Sequence, residues 1–331
     1  RPGARTIRPA GTRPSLTKLR GMPTESAPTG SAIGSALLAL GDRWTLLVLQ
    51  RAFVLHTRRF ADWRAQLGIS ESTLAERLRN MVDADLLERV PYDNGRTRDE
   101  YRLTPRAVEL WELLLAIWGW EQLAVGKGAP VLIHADCGQS IQPVLGCGSC
   151  GSSPITARDT TAVRGAEAEF AQISVPRLHR RAQDADTVAD PLSYYPETMS
   201  ILGDRWSTAI LAAAFLGVRR FTAFKSELGI APSRLSDRLR RFVAAGVMHE
   251  PSVDGEYRLT TNGMNFFPVF AILVAWAQRW YGADTTRELT IVHALCASPL
   301  QPVLVCSHCH EQLARTAVHF NLGTDEIQDH R

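Results

Sequence analysis

The sequence predicts a mainly α fold with small β-hairpin wings, built twice in one chain, with a short Cys/His segment behind each copy. Three observations predict it. First, the chain repeats itself in order. Gly41-Asp42-Arg43-Trp44 returns as Gly203-Asp204-Arg205-Trp206, and Arg58-Arg59-Phe60 as Arg219-Arg220-Phe221. Leu67-Gly68-Ile69 returns as Leu228-Gly229-Ile230, and Tyr101-Arg102-Leu103-Thr104 as Tyr257-Arg258-Leu259-Thr260. A long repeat present only twice points to a duplicated domain rather than a solenoid. Second, apolar residues recur at helical spacing through most of each copy. Third, His134, Cys137, Cys147 and Cys150 return with identical spacing as His293, Cys296, Cys306 and Cys309.

Residues 1–30 are expected to form a disordered N-terminal arm. Its first twenty residues carry Arg and Lys among Pro, Gly and Thr without periodicity, so Met22 is the expected start, with a disordered phosphate-binding tail as the alternative. The first domain spans 31–126. Residues 36–40 and 44–55 are apolar at helical spacing, and Gly41-Asp42 breaks them, with Asp42 as the N-cap of the second helix. Phe60, Trp63 and Leu67 mark a short amphipathic helix that stops at Gly68. Ser70 or Ser72 caps the next helix, which runs to about Ala84. Residues 86–90 and 100–103 are strand candidates around the turn Asp93-Asn94-Gly95. Thr104-Pro105 opens a long helix through Trp111 and Trp118 to about Leu123. Helix, short helix, tight turn, helix, hairpin, helix is the plan of a winged helix-turn-helix. A second such domain is expected over 194–284. Cys/His segments follow at 127–155 and 285–315, a linker at 156–193, and a loosely ordered tail at 316–331.

The bulk numbers narrow the function. In 331 residues, 45% are hydrophobic and 21% charged, as in ordinary globular chains. The formal net charge is +3 and the pI about 8.6, so a nucleic-acid surface has to be a local patch. No apolar run approaches the roughly 18 residues of a membrane span. No secretory signal is visible, which predicts a cytoplasmic, nucleoid-associated protein with no membrane partner. No glycine-rich phosphate loop and no nucleophile–base arrangement is present, so an enzyme is not expected.

The helix after the tight turn in each copy is the candidate reader of double-stranded DNA. In the first copy Leu74, Leu78, Met81 and Val82 share one face. Ser72, Thr73, Glu76, Arg79 and Asn80 lie opposite, with Arg77 between. In the second copy Leu235, Leu239, Phe242 and Val243 face inward, while Ser233, Arg234, Asp237, Arg240 and Arg241 face out, with Arg238 beside them. Such a helix fits the major groove. The plainer alternative is a solvated helix face. The copies differ: charges cancel over 70–80, whereas 231–241 carries a positive excess. The wings are reversed, since the first holds Arg89, Arg96 and Arg98 and the second Asp254 and Glu256. A division of labour follows, in which the second copy depends on its helix and the first on Arg96 and Arg98. Surface pairing of those two arginines with Asp93 and Asp99 is the competing reading. Arg43, Arg58 and Arg59, with Arg205, Arg219 and Arg220, fall at or near helix N-termini. An anionic phosphate would explain cations placed there.

Taken together, Gly-Asp-Arg-Trp, Arg-Arg-Phe, Leu-Gly-Ile, the Leu-x-x-Arg-Leu-Arg of both reading helices and Tyr-Arg-Leu-Thr resemble the HxlR-type winged helix regulators. These are bacterial transcription factors related to the MarR group. The resemblance covers about 33–123 and 195–281. It implies DNA binding and regulation of transcription, with repression the expected sign. Members carry one domain, dimerise through the first and last helices and bind pseudo-palindromic operators. The resemblance therefore implies an intramolecular pseudo-dimer, with 32–40 and 105–123 facing 194–202 and 262–280. Its two reading helices would lie about 34 Å apart on an asymmetric operator. A homodimer with four domains is the alternative assembly. Some members sense quinones or aldehydes through a cysteine near the N-terminus. No cysteine precedes Cys137, so that mechanism does not carry over.

All six cysteines fall in the pattern His-x2-Cys-x9-Cys-x2-Cys, at 134–150 and 293–309. Each x2 pair offers two ligands, and a hairpin between pairs would bring four ligands of one copy onto one ion. Residues 142–145 and 301–304 supply one strand of each hairpin. Three thiolates and one imidazole suit tetrahedral Zn²⁺ in a closed structural site, so two zinc-ribbon-like segments are expected. Free reduced thiols, a redox-active Cys147–Cys150 pair or a vestigial tail are the competing readings, and His308 and His310 are alternative nitrogens. Two other functions remain beside DNA binding: a protein-interaction adaptor, and a regulator that responds to thiol or zinc oxidation. A small-molecule effector between the domains is left open, since no residue pattern identifies one.

Overall fold

The computed structural model describes residues 32–40, 42–93, 97–125, 130–165, 201, 205–282 and 289–321. The first copy contains α1 (Ala32–Leu40), α2 (Arg43–Val54), α3 (Phe60–Leu67) and α4 (Glu71–Asp83). It continues with β1 (Leu87–Asp93), β2 (Thr97–Leu103), α5 (Pro105–Val108) and α6 (Trp111–Val125). Asp42 caps α2, accepting from the Trp44 N–H, and Ser70 caps α4 through Thr73. Gly68 ends α3 in the left-handed region at φ 59°, where a β-carbon is disfavoured, and this turns the chain into α4. Leu74, Leu78 and Met81 of α4 are buried as their spacing requires. Each such side chain contributes about 1.5–3 kcal/mol relative to exposure.

The second copy repeats this with α7 (Arg205–Phe215), α8 (Phe221–Leu228), α9 (Pro232–Ala244), α10 (Thr261–Met264) and α11 (Phe267–Tyr281). Gly229 also stops its helix at φ 59°, and Leu235, Leu239 and Phe242 of α9 are buried. Two expectations need correcting here. The second wing is not a regular hairpin: among the described residues it is held by the single bridge Met248–Leu259 and by hydrogen bonds from the His249 and Ser252 N–H groups to the Arg258 and Glu256 carbonyls, while the bridge Arg220–Glu256 ties it to the start of α8. It is shorter than the first, and Pro251 removes a donor from it. The long helix after the wing is broken in both copies, into α5 and α6 and into α10 and α11. Thr104 and Thr260 cap the short pieces, and Pro268 opens the second long one.

The two copies pack together through these helices. α1 is apolar nearly all round, with Ala32, Ile33, Ala36, Leu37 and Leu40 buried, and it lies along α11 of the other copy. α6 also packs on α11. Two hydrogen bonds cross reciprocally. Trp120 Nε1 donates to the Asn262 carbonyl at 3.0 Å, and Trp276 Nε1 to the Arg106 carbonyl at 2.9 Å. Trp120 corresponds to Trp276 in the repeat, and Arg106 to Asn262. Arg106 also lies over the rings of Trp280 and Tyr281 and donates to the Trp280 carbonyl at 2.8 Å. Most of 194–202 lies outside the described residues.

Behind the helices the chain forms β3 (Val131–His134), β4 (Gln139–Ser140), β5 (Pro143–Cys147) and β6 (Thr160–Arg164). The counterparts are β7 (Leu289–His293), β8 (Ser298–Pro299), β9 (Pro302–Cys306) and β10 (Val318–Asn321). These strands exchange partners between copies. β5 pairs antiparallel with β9. β6 joins the β7–β8 hairpin, and β10 joins β3–β4. The expected linker therefore begins with an ordered strand, and the expected loose tail contributes another. Neither segment carries enough apolar residues to signal a strand alone; each is ordered by backbone pairing to the other copy's hairpin. No helix among the described residues is long and apolar enough to cross a membrane.

Candidate metal centres and nucleic-acid face

The strand exchange decides which ligands meet. His134 and Cys137 come together with Cys306 and Cys309, and Cys147 and Cys150 with His293 and Cys296. In each group the ligand atoms all lie within 4.8 Å of one another. The expectation that four ligands of one copy close on one ion is thus corrected. The strand expected to fold back within its own copy, β5, pairs instead with β9 and carries its Cys-x2-Cys across. All eight residues foreseen as ligands fall in two mixed sets, and His308 and His310 belong to neither.

The distances suit a tetrahedral ion. Cys137 Sγ and Cys309 Sγ each lie 3.4 Å from His134 Nδ1, and Cys137 Sγ lies 3.9 Å from Cys306 Sγ. In the other set Cys150 Sγ and Cys296 Sγ lie 3.4 and 3.3 Å from His293 Nδ1. A tetrahedron with metal–sulfur bonds of about 2.3 Å has sulfur–sulfur edges of about 3.8 Å. Both histidines are buried, and both present Nδ1 to the sulfurs. Asp136 Oδ2 lies 3.4 Å from His134 Nε2, on the side of the ring away from the sulfurs. Burial raises the Cys306 thiol, but the backbone N–H groups of Cys309 and His308 and the neighbouring sulfurs outweigh it and bring it down to about 7. The Ser152 hydroxyl and backbone bring Cys150 down to about 6. Cys296 and Cys309 go the other way: the backbone N–H groups of Ser298 and Glu311 lower them, but burial and the neighbouring sulfurs outweigh this and push them up. Thiolates are the form that binds metal. The cysteines are free of disulfides.

The helix-turn-helix face has the two compositions foreseen. On α4, Ser72, Arg79 and Asn80 are exposed, while Thr73, Glu76 and Arg77 are half-buried. Arg77 points back into the domain, with Nε 3.2 Å from Asp42 Oδ2. Asp42 also accepts from Thr45 Oγ1 at 2.7 Å, so the Gly-Asp-Arg-Trp motif locks α4 onto the start of α2. Sequence reasoning missed this role of Arg77; its position beside the inner face was the available signal. Arg64 pairs with Glu71 and ties α3 to α4.

On α9, Ser233, Arg234, Arg240 and Arg241 are exposed. Asp237 binds Arg238 at 2.5 Å and Arg241 at 3.2 Å. Arg43, Arg59 and Arg220 sit at helix starts, and Arg58 and Arg59 are exposed. Arg59 lies over the ring of Tyr92 on the wing. Arg219 donates to the Ala214 carbonyl at 2.9 Å and so closes the end of α7. Arg205 opens α7. Arg96 lies outside the described residues, and of Arg98 only the backbone is described, in β2. Asp99 pairs with Arg89.

Two helix-turn-helix units with buried inner faces and exposed, partly basic outer faces, joined by two Cys/His clusters, define a helix-turn-helix protein of tandem design. The profile described as HxlR-like helix-turn-helix matches residues 39–127 and 201–285, and the chain belongs to that family. Among its relatives is the uncharacterized HTH-type transcriptional regulator Rv3095 of Mycobacterium tuberculosis. It is 42% identical over 135 residues, which are 40% of this chain and 84% of the relative. The uncharacterized HTH-type transcriptional regulator YtfH of Escherichia coli is 34% identical over 83 residues, 25% of this chain and 65% of that protein. The crystal structure of a protein named PA1607 matches at 33% identity over 38% of this chain and 88% of its own, with a TM-score of 0.34.

Proposed function

We propose that this protein is a sequence-specific DNA-binding regulator of transcription, a repressor, that reads a two-part operator with its two copies as an intramolecular pseudo-dimer. The observation that carries this reading is the exposed Arg234, Arg240 and Arg241 on α9, opposite a buried apolar stripe in a helix-turn-helix unit. Side chains so placed reach base edges and phosphates in a major groove. On α4 the exposed positions are Glu71, Ser72, Arg79, Asn80 and Asp83, a set with no positive excess. The first copy then depends more on its wing, through Arg96 and Arg98. Because the two faces differ, the preferred operator is asymmetric. Arg43, Arg58, Arg59 and Arg220 hold backbone phosphates, and Arg77 and Arg219 hold the units in shape. The protein works at the bacterial nucleoid, in the cytoplasm.

The two Cys/His clusters are read as structural Zn²⁺ sites. Each offers three thiolates and one imidazole, with no fifth donor among the described residues, which is the donor set of closed zinc centres.

The test is fluorescence anisotropy of the metal-loaded protein on the DNA upstream of its own gene, against unrelated DNA, at low and moderate salt. Preference for the upstream fragment that survives moderate salt supports sequence-specific reading. Equal binding erased by salt removes that fragment as the operator. No binding to either at low salt overturns the reading in favour of a protein-binding adaptor, for which the near-neutral α4 face is the supporting observation.

A further inference from the structure

We infer that the two metal ions are shared between the copies and clasp them, each ion taking ligands from both copies. This rests on the zinc reading above. Each cluster takes its His-x2-Cys pair from one copy and its Cys-x2-Cys pair from the other. The pairs are chemically interchangeable between copies, so ligand chemistry does not choose the partner. The β5–β9 ladder chooses it: Cys147 pairs with Pro302 and Cys306 with Pro143, which delivers each Cys-x2-Cys pair to the opposite copy's histidine.

The clasp is anchored to the helices that join the copies. Pro143, at the start of β5, lies against Gly119 of α6, where a β-carbon would stand 2.7 Å from the proline ring. Phe320 of β10 packs edge-on against Trp118 of α6, with centroids 5.5 Å apart, although it ends the second copy's chain segment. β9 packs on both α6 and α11. Separating the copies would therefore empty both coordination shells at once. A metal held within one copy would have no such coupling.

The two groupings of ligands give opposite metal counts in paired variants of the full chain. Cys137→Ser with Cys309→Ser strikes one site if ions are shared, and two sites if each copy holds its own. Cys137→Ser with Cys150→Ser does the reverse. All three are peripheral ligands, outside the buried Cys147 and Cys306. The measurement is Zn²⁺ retained per chain against a competing chelator, with far-UV circular dichroism as the fold check. Co²⁺ substitution reports the thiolates by their charge-transfer band.

The expected result is two ions in the wild type, one ion at wild-type affinity in C137S/C309S, and none at that affinity in C137S/C150S. The reversed pattern overturns the clasp and leaves two zinc sites, one per copy. Two ions in both variants overturns it by removing these thiols from the ligand set. No ion in the wild type overturns the zinc reading itself, which is a separate failure. Should C137S/C309S not fold, C150S/C296S asks the same question of the other cluster.

Discussion

Leu145 pairs with Leu304 in the β5–β9 ladder, and the two are each other's counterparts in the repeat. Leu145 follows His134, and Leu304 follows His293, at the same interval. An antiparallel pair of identical positions places a local two-fold axis between them. Val144 opposite Val305 and Gly146 opposite Val303 obey the same relation. Both leucines are at most 2% exposed, so this pair is the core of the ribbon region as well as its symmetry point. Leu145→Ala and Leu304→Ala are each expected to cost about 2–5 kcal/mol. Because the side chains share one site, the double variant should depart from the sum by roughly 0.5–3 kcal/mol. Chemical denaturation of the four chains measures this, and strict additivity would count against the pairing.

Trp120 and Trp276 cross the helical junction in opposite directions to reach backbone carbonyls of the other copy. Trp→Phe at either position removes one such bond and leaves a carbonyl to find another donor. Each change is expected to lower stability by about 1–2 kcal/mol, and by similar amounts, read as a shift in thermal midpoint. A marked inequality between the two would show that the junction is not reciprocal.

Arg77 and Arg240 occupy related helices but face different partners. Arg77 meets Asp42, whereas Arg240 is exposed and makes no ion pair among the described residues. Asp42→Ala should therefore destabilise the fold by about 0.5–2 kcal/mol through the lost helix cap, with Arg77→Ala acting in the same direction. Arg240→Ala with Arg241→Ala should leave thermal stability nearly unchanged. It should weaken DNA binding and reduce the slope of log affinity against log salt by about 1–2. DNA affinity insensitive to the α9 pair would remove that helix from the interface.

Glu112, on α6, has its carboxyl pushed up to about 7 by burial and then by Glu109, with Arg279 acting against them. The folded state therefore favours the neutral acid. Its contribution is complete below about pH 4.5 and is lost as pH rises through about 7. Glu112→Gln keeps a neutral group throughout. Relative to wild type, the variant should gain stability between pH 4.5 and 8, by at most about 3 kcal/mol. Denaturant midpoints of both proteins across that range check the sign. Parallel profiles would mean that Glu112 ionises freely.

Much of the winged helix was legible because its signals are local. Asp42 and Ser70 cap helices by reaching N–H groups two or three residues away, and Gly68 and Gly229 take a backbone angle that other residues avoid. Leu74, Leu78, Leu235 and Leu239 are buried because helical periodicity puts them on one face. The second wing was over-read, since Tyr257-Arg258-Leu259 resembles the first copy's strand while its partner segment is too short to form a ladder. β6 and β10 were missed for a different reason. Their burial patterns are largely exposed, and what orders them is pairing to a hairpin more than a hundred residues away in sequence.

The metal centres divide most cleanly. The sequence by itself determined the eight candidate ligands, their grouping into x2 pairs and the donor chemistry, because a knuckle is built from adjacent residues. Only the tertiary structure decided which pairs come together. Two copies with the same spacing offer equivalent half-sites, so local chemistry is indifferent between the two arrangements. The choice falls to the packing of α1 and α6 on α11 and to the pairing of Leu145 with Leu304, contacts between residues far apart in the chain.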